Sequence, residues 1–275
     1  MLEVLATGPL ATVQDLGRPG YAHLGVPRSG ALDQPALERA NRLVGNSLDK
    51  AGLELSQGRF AAVFHAEALI AVTGAPADVR VDETMVRGAT TVAKGQKLEI
   101  GAPTSGMHCY LAVRGGIDVP EVLGSRSSDT LSGIGPAPLR AGTRLPFGES
   151  TGVPFSAGPE PDYGEVIQLR IRFGPRESWF RSPEELTWNA YRMGMANRIG
   201  ARLTGPSLNR AIVRELPSEG LVPGAVQVPG DGLPIIFLAD HPTTGGYPVL
   251  AVVHPADLPL VAQARPGARV MFRGP

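Results

Sequence analysis

Four short stretches of this chain occur twice, in the same order, and that recurrence constrains its architecture more than any other feature. Ala40-Asn41-Arg42-Leu43 reappears as Ala196-Asn197-Arg198-Ile199, and Ala71-Val72-Thr73-Gly74 as Gln227-Val228-Pro229-Gly230. Leu111-Ala112-Val113 followed by Asp118-Val119-Pro120 is matched by Leu250-Ala251-Val252 followed by Asp257-Leu258-Pro259. Arg140-Ala141-Gly142-Thr143-Arg144-Leu145 is matched by Arg265-Pro266-Gly267-Ala268-Arg269-Val270. Each match is weak alone; their shared order predicts tandem copies of one domain, residues 1–150 and 151–275. The join is expected in the Pro- and Gly-rich stretch from Gly148 to Tyr163.

Local signals fill in each copy. A first helix is predicted from Asp33, with Pro35 early, to a stop at Gly45. A second is predicted from Ser182 as N-cap, with Pro183 in the first turn and Glu185 completing a capping box, to about Asn197. Ala68 to Val72, Cys109 to Val113, Val166 to Phe173, Ile235 to Leu238 and Val249 to Val253 read as strands, short, apolar or β-branched, and bounded by Gly or Pro. The 35 glycines and 26 prolines coexist with 43% hydrophobic residues, which favours short strands joined by tight turns over disorder. Strands with one or two helices per unit predict a mainly β protein of two small closed or half-closed barrels.

Charge and cysteine content narrow the partners. Basic and acidic residues number 26 each, so no field favours a nucleic acid or an anionic membrane. Cys109 is the single cysteine, which excludes an internal disulfide. The apolar run from Ala66 to Thr73, broken by Glu67, falls far short of the roughly 20 residues that span a bilayer. Met1-Leu2-Glu3-Val4-Leu5 lacks the basic and apolar regions of a signal peptide, and a cytoplasmic location is expected.

Standard catalytic signatures are missing: no Walker loop, no dinucleotide fingerprint, no His-Glu-x-x-His and no Gly-x-Ser-x-Gly. The five histidines show no metal-ligand spacing, and no metal is expected. Ser47-Leu48-Asp49-Lys50 fits an acyl-enzyme signature without its companion motifs and reads as a solvated loop. Cys109, inside an apolar segment, reads as packing.

The duplication sorts what remains. Arg42/Arg198 and Asp118/Asp257, present in both copies, are expected to hold the shared framework, and unrepeated polar residues are the candidates for chemistry. Asp15 and Arg18 lie three apart on an irregular stretch, Thr12 to Tyr21, where they either pair with each other or face a ligand. Arg114 ends a strand before two glycines and suits bidentate capture of a carboxylate or phosphate. The densest region, Ser218 to Pro248, carries Glu219, Gln227, Asp231, Asp240 and the run Thr243-Thr244-Gly245-Gly246. That run could form an amide nest for an oxyanion, and Asp231 or Asp240 could move a proton or simply satisfy turn amides.

Gln14 to Tyr21, Gly25 to Asp33, Tyr110 to Pro120, Asn197 to Pro206, Ser218 to Gly232 and Asp240 to Pro248 together resemble one family. It is variously called allophanate hydrolase subunit 2, the C-type subunit of 5-oxoprolinase, or biotin-dependent carboxyltransferase. The resemblance implies tandem cyclophilin-like β-barrels and a subunit 1/B partner. It further implies ATP, with magnesium, used to activate a lactam, and a separate A-type subunit that completes hydrolysis. Urea-carboxylase relatives imply an alternative, carboxyl transfer from carboxybiotin, and a third branch implies a non-catalytic regulator that binds a kinase-inhibitor homologue. Under the first reading the site comprises Asp231, Asp240 and Arg114 as catalytic groups, with Asp15, Arg18, Glu219, Gln227 and Thr243 to Gly246 binding substrate or nucleotide. The sequence departs from the family pattern at Pro136-Ala137-Pro138, Gly142-Thr143 and Gly58-Arg59.

Overall fold

A computed structural model describes residues 1–149, 152–156 and 163–274. The chain is mainly β and divides into two compact units. One comprises Met1–Arg18 with Ser29–Tyr163; the other comprises Pro19–Arg28 with the chain from Gly164 onward.

The first unit runs β1 (Leu2–Thr7), β2 (Leu10–Gln14), α1 (Gln34–Leu43), β3 (Gly52–Ser56), β4 (Phe60–Phe64), β5 (Ala68–Gly74), β6 (Val79–Val81), β7 (Thr84–Met85), β8 (Thr90–Val92), β9 (Lys97–Ile100), β10 (His108–Val113) and β11 (Arg144–Leu145). These form two sheets, ordered β11-β1-β4-β9-β6-β7 and β2-β3-β10-β5-β8. Leu2, Val4, Phe60, Phe64 and Leu98 of one sheet share a core with Val13, Leu53, Leu55, Ile70 and Leu111 of the other. Full burial of each such side chain contributes about 1.5–3 kcal/mol. β10 is buried along its whole length because its alternate residues serve two layers. Cys109, Leu111 and Val113 join the inter-sheet core, while Tyr110 and Ala112 lie under α1 against Leu37 and Ala40.

A buried polar network seats α1 as the sequence predicts. Asp33 caps the helix by accepting from Ala36 N at 3.0 Å, and Pro35 lies in the first turn. Tyr110 Oη accepts from Asp33 N at 2.8 Å and donates to Glu54 Oε2 at 2.9 Å. Burial pushes the Tyr110 phenol well above its usual pKa, and the charges of Glu54 and Asp33 add to that.

The second unit runs β12 (Val166–Phe173), α2 (Glu185–Trp188), β13 (Ala190–Ala196), β14 (Gly200–Thr204), β15 (Glu219–Gly220), β16 (Ala225–Gln227), β17 (Ile235–Phe237), β18 (Thr244–Gly245), β19 (Val249–Val253), α3 (Leu258–Gln263) and β20 (Arg269–Arg273). Seven strands close a barrel in the order β12-β19-β16-β17-β14-β13-β20, and β15 pairs with β18 apart from it. β12 and β20 close the ring in parallel, with Val166 opposite Arg269.

One expectation changes. The helix predicted from Ser182 to Asn197 is only the four-residue α2, without a side-chain cap. Ala190–Ala196 is instead a strand, its Tyr191 and Met193 buried on one face and its backbone paired with β14 and β20. The capping signature is local, whereas pairing on both edges satisfies the whole backbone of the segment. The first repeated stretch therefore differs between copies: Ala40–Leu43 is helical, while Asn197 heads a turn in which its Oδ1 accepts from Ile199 N and Gly200 N. The second unit is a closed seven-strand ring, and the first is the two-sheet packing described above.

The last repeated stretch does form the same structure in both units. Thr143 N donates to Arg140 O and Ala268 N to Arg265 O, each at 3.0 Å, around glycines at φ 85° and 89°. Each glycine N–H then reaches a neighbouring strand, Gly142 to Val4 O at 2.8 Å and Gly267 to Met193 O at 2.7 Å.

Asp257 anchors β12 from outside the barrel. Its Oδ2 accepts from Arg170 N at 2.8 Å and Nε at 3.0 Å, and its Oδ1 accepts from Nη2 at 2.6 Å. Burial pushes this carboxyl up, but the Arg170 bonds outweigh it and hold the pKa below the usual carboxylate range. A depressed carboxylate pKa contributes stability above its unfolded value, and that contribution is lost as pH falls through the folded value. Asp257→Asn should therefore cost about 1 kcal/mol at pH 7, and should flatten the loss of stability below about pH 4. Parallel pH–stability curves for the two proteins in thermal melts would refute this.

Candidate functional site

In the first unit the predicted residues build backbone rather than a pocket. Asp15 Oδ1 accepts from Gly17 N at 2.8 Å, Ser125 Oγ at 2.7 Å and Ser127 Oγ at 2.5 Å. Its Oδ2 accepts from Arg126 N at 2.6 Å. Arg18, 1% exposed, donates through Nε to Val122 O at 3.3 Å and through Nη2 to Ser127 O. Both side chains thus fasten the loop from Asp118 to Gly135. Arg114 donates to Val44 O at 3.4 Å and Gly152 O at 2.8 Å, a link to the C-terminal end of α1. A cleft of about 540 Å³ beside α1 is lined by Arg39, Leu43, Val72, Asp78, Met85 and Arg87, among others. None of the predicted site residues lines it.

The second unit holds the remaining predicted residues. Asp240 is fully buried and forms a bidentate pair with Arg198, which is 1% exposed, at 2.8 and 2.9 Å. Asp231 is exposed, pairs with Arg202 and accepts from Leu233 N at 3.1 Å. The Thr243 to Gly246 run forms no nest: Thr244–Gly245 is extended and pairs with Glu219–Gly220. Neither Gly245 nor Gly246 has the positive φ of the alternating backbone that such a nest needs. A Cβ at 245 would lie 2.7 Å from Gln227 Nε2 and 2.8 Å from Leu221 Cδ1, so a larger residue there would displace the ends of those two side chains. Gln227, 4% exposed, donates to Tyr247 O at 2.8 Å.

Around this ladder lies a set of arginines and aromatic rings that the sequence motifs did not single out. Arg176 forms a two-point contact with Glu219, with Nε to Oε2 at 3.0 Å. Trp179 is flanked by Arg176 and Arg214, each guanidinium carbon 5.6 Å from the ring centroid. Arg210 lies 5.7 Å from the Tyr247 ring and donates to Val228 O at 2.5 Å. Trp179 O accepts from Ala211 N at 2.8 Å and Ile212 N at 3.2 Å, which brings the 209–214 segment beside the ring. A guanidinium beside an aromatic face keeps its N–H fork available for a planar anion. Glu219 pairs with Arg176, one of the three guanidiniums, and a guanidinium is a natural partner for a carboxylate or phosphate. The missed residues carry no spacing signal: Arg176, Trp179, Arg210 and Arg214 come together only through the irregular loops.

The two predicted aspartates should behave oppositely. Asp240→Ala strands the buried Arg198 and should cost about 3–5 kcal/mol, whereas Asp231→Asn should cost at most about 1 kcal/mol. Denaturant unfolding of both variants checks this; an Asp240→Ala protein as stable as wild type would overturn the framework role.

Comparison with known proteins places the chain in a family. Residues 24–274 match the family model described as carboxyltransferase domain, subdomain A and B. The chain is 39% identical to the C-type subunit of Escherichia coli 5-oxoprolinase, across 99% of this chain and 90% of that protein. It is 34% identical to Saccharomyces cerevisiae urea amidolyase across 98% of this chain, which is only 16% of that protein. The crystal structure of TTHA0988 superposes with a TM-score of 0.90 at 34% identity, covering 99% of this chain and 56% of that one. The chain belongs to the carboxyltransferase domain family, subdomains A and B, whose members include the C-type subunit of 5-oxoprolinase.

Proposed function

We propose that this chain is the C-type subunit of an ATP-dependent 5-oxoprolinase, active only in complex with a subunit 1/B partner. The observation that carries the reading is the match to the corresponding E. coli protein, which extends through 99% of this chain and 90% of that protein. Longer relatives, of which this chain is a fraction, lend no such end-to-end correspondence.

The chemistry of the second unit fits a binding role. 5-Oxoproline carries one carboxylate and one lactam carbonyl, and Arg210 and Arg214 beside their aromatic rings suit the carboxylate. Glu219, Asp231 and Asp240 are each paired with an arginine. Among the described residues no group of three His, Cys, Asp or Glu side chains converges as a metal site, and the magnesium of MgATP needs only one or two carboxylates beside the phosphates. The reading assigns anion binding to this chain and the use of ATP, with magnesium, to the assembled complex.

A second reading, carboxyl transfer from biotin, is favoured by the family description and the urea amidolyase match. The same arginines would then receive the carboxylate of carboxybiotin.

The experiment is ATP hydrolysis by this chain, the subunit 1/B partner and their mixture, with and without 5-oxoproline. The single chain should be inactive, and the mixture should respond to 5-oxoproline. Arg214→Ala should raise KM for 5-oxoproline about 10–100-fold, as loss of a charged hydrogen bond does, with kcat little changed. A mixture whose ATP hydrolysis ignores 5-oxoproline would sink the lactam reading, and biotin-dependent carboxyl transfer would establish the second.

A further inference from the structure

The two sheets of the first unit are bridged by two short crossings. Residues 75–78 lead from β5 of one sheet to β6 of the other, and residues 86–89 lead from β7 back to β8. The cleft of about 540 Å³ beside α1 lies at these crossings, which supply Pro76, Ala77, Asp78, Val86 and Arg87 to its lining. It is formed wholly by the first unit, and its volume falls within the roughly 300–1,000 Å³ of small-molecule sites. Its floor is apolar: Val72, Ala77, Val79 and Val86 are only partly buried against the inter-sheet core, and Leu43 and Met85 extend the apolar lining. An apolar guest would take the remainder of that surface out of water.

The charges sit at the rim. β6 and β7 form a hairpin in which Arg80 faces Met85 and Val81 faces Thr84, and Val86 N donates to Val79 O at 2.9 Å. One step further along the two arms come Asp78 and Arg87, an acid and a base, both exposed and both lining the cleft. Gly101 N holds the Asp78 backbone by donating to its carbonyl at 2.8 Å. Among the described residues neither side chain forms an ion pair or a hydrogen bond, with the other or with a third group. Carboxylate and guanidinium are therefore both open to a ligand. Opposite charges on adjacent arms, above an apolar floor, match a molecule that carries an ammonium, a carboxylate and an apolar side chain. Arg39 of α1 adds a second guanidinium to the lining.

We propose that this cleft binds a free amino acid with an apolar side chain. Arg87 takes its carboxylate, Asp78 its ammonium, and the valines of the floor its side chain. The site uses none of the second unit's arginines and does not depend on the reaction assigned to the chain.

The test is calorimetric titration of the purified chain with L-leucine. The wild type should bind it, and Arg87→Gln and Asp78→Asn should each bind it about 10–100-fold more weakly, as loss of a charged hydrogen bond does. Both positions are exposed and unpaired, so both variants should melt with the wild type. 4-Methylpentanoate, which lacks the ammonium, and 3-methylbutylamine, which lacks the carboxylate, should bind the wild type weakly in the same proportion. A wild-type chain that does not bind leucine overturns the proposal, and so does a leucine affinity unchanged in either variant. Binding of 4-methylpentanoate as tight as that of leucine makes the cleft a simple anion site and overturns the amino-acid assignment.

Discussion

A carboxylate with no charged partner in direct contact organises much of the first unit. The four donors that Asp15 receives come from Gly17 on its own strand end and from Ser125, Arg126 and Ser127 far along the chain. That fastening lies at the end of β2, the edge strand of its sheet. Beyond it, Ser128 N reaches Val13 O at 2.9 Å and Leu139 N reaches Ala11 O at 2.8 Å. The irregular segment therefore covers an edge that would otherwise present unpaired carbonyls to another chain. One side chain fixes a loop, and the loop protects a sheet.

The second unit handles charge differently. Four of its carboxylates pair with arginines: Asp240–Arg198 with both side chains buried, Asp257–Arg170 with a buried carboxylate and an exposed guanidinium, Glu219–Arg176 with both partly exposed, and Asp231–Arg202 solvated. The buried pair ties the turn after β13 to the segment after β17, since Asp240 N also donates to Arg198 O at 2.9 Å. Arg210 and Arg214 lie instead beside the rings of Tyr247 and Trp179.

Much of the fold is legible in the sequence because it depends on neighbours in the chain. Asp33 and Pro35 announce α1, and the runs Val166–Phe173 and Val249–Val253 are strands as predicted, since their patterns carry both burial and pairing. The turns at Gly142 and Gly267 show as a repeat because a positive φ and a fixed hydrogen bond restrict composition. What misleads is context. Ser182 and Glu185 resemble a capping box, yet the alternation of Tyr191 and Met193 and two waiting strand edges settle the conformation that follows. For the site, Asp15, Arg18 and Arg114 stand out as unrepeated polar residues, and that criterion does not distinguish a ligand contact from a loop anchor. Arg210 and Arg214 do not stand out at all, because their meaning lies in rings brought to them by Trp179 and Tyr247.

The closure of the barrel has a consequence for biosynthesis. β20 lies between β12 and β13 in the ring, yet it is translated after every other strand of that ring. Until Arg269–Arg273 have cleared the ribosome, both neighbours present open backbone, and the pairing of Val166 with Arg269 must then be made across nearly the whole unit. Contacts so distant in sequence form slowly. A nascent chain that has already folded its first unit would hold an unfinished ring on the ribosome, dependent on chaperones for that interval, and premature termination before Arg269 would leave it permanently open.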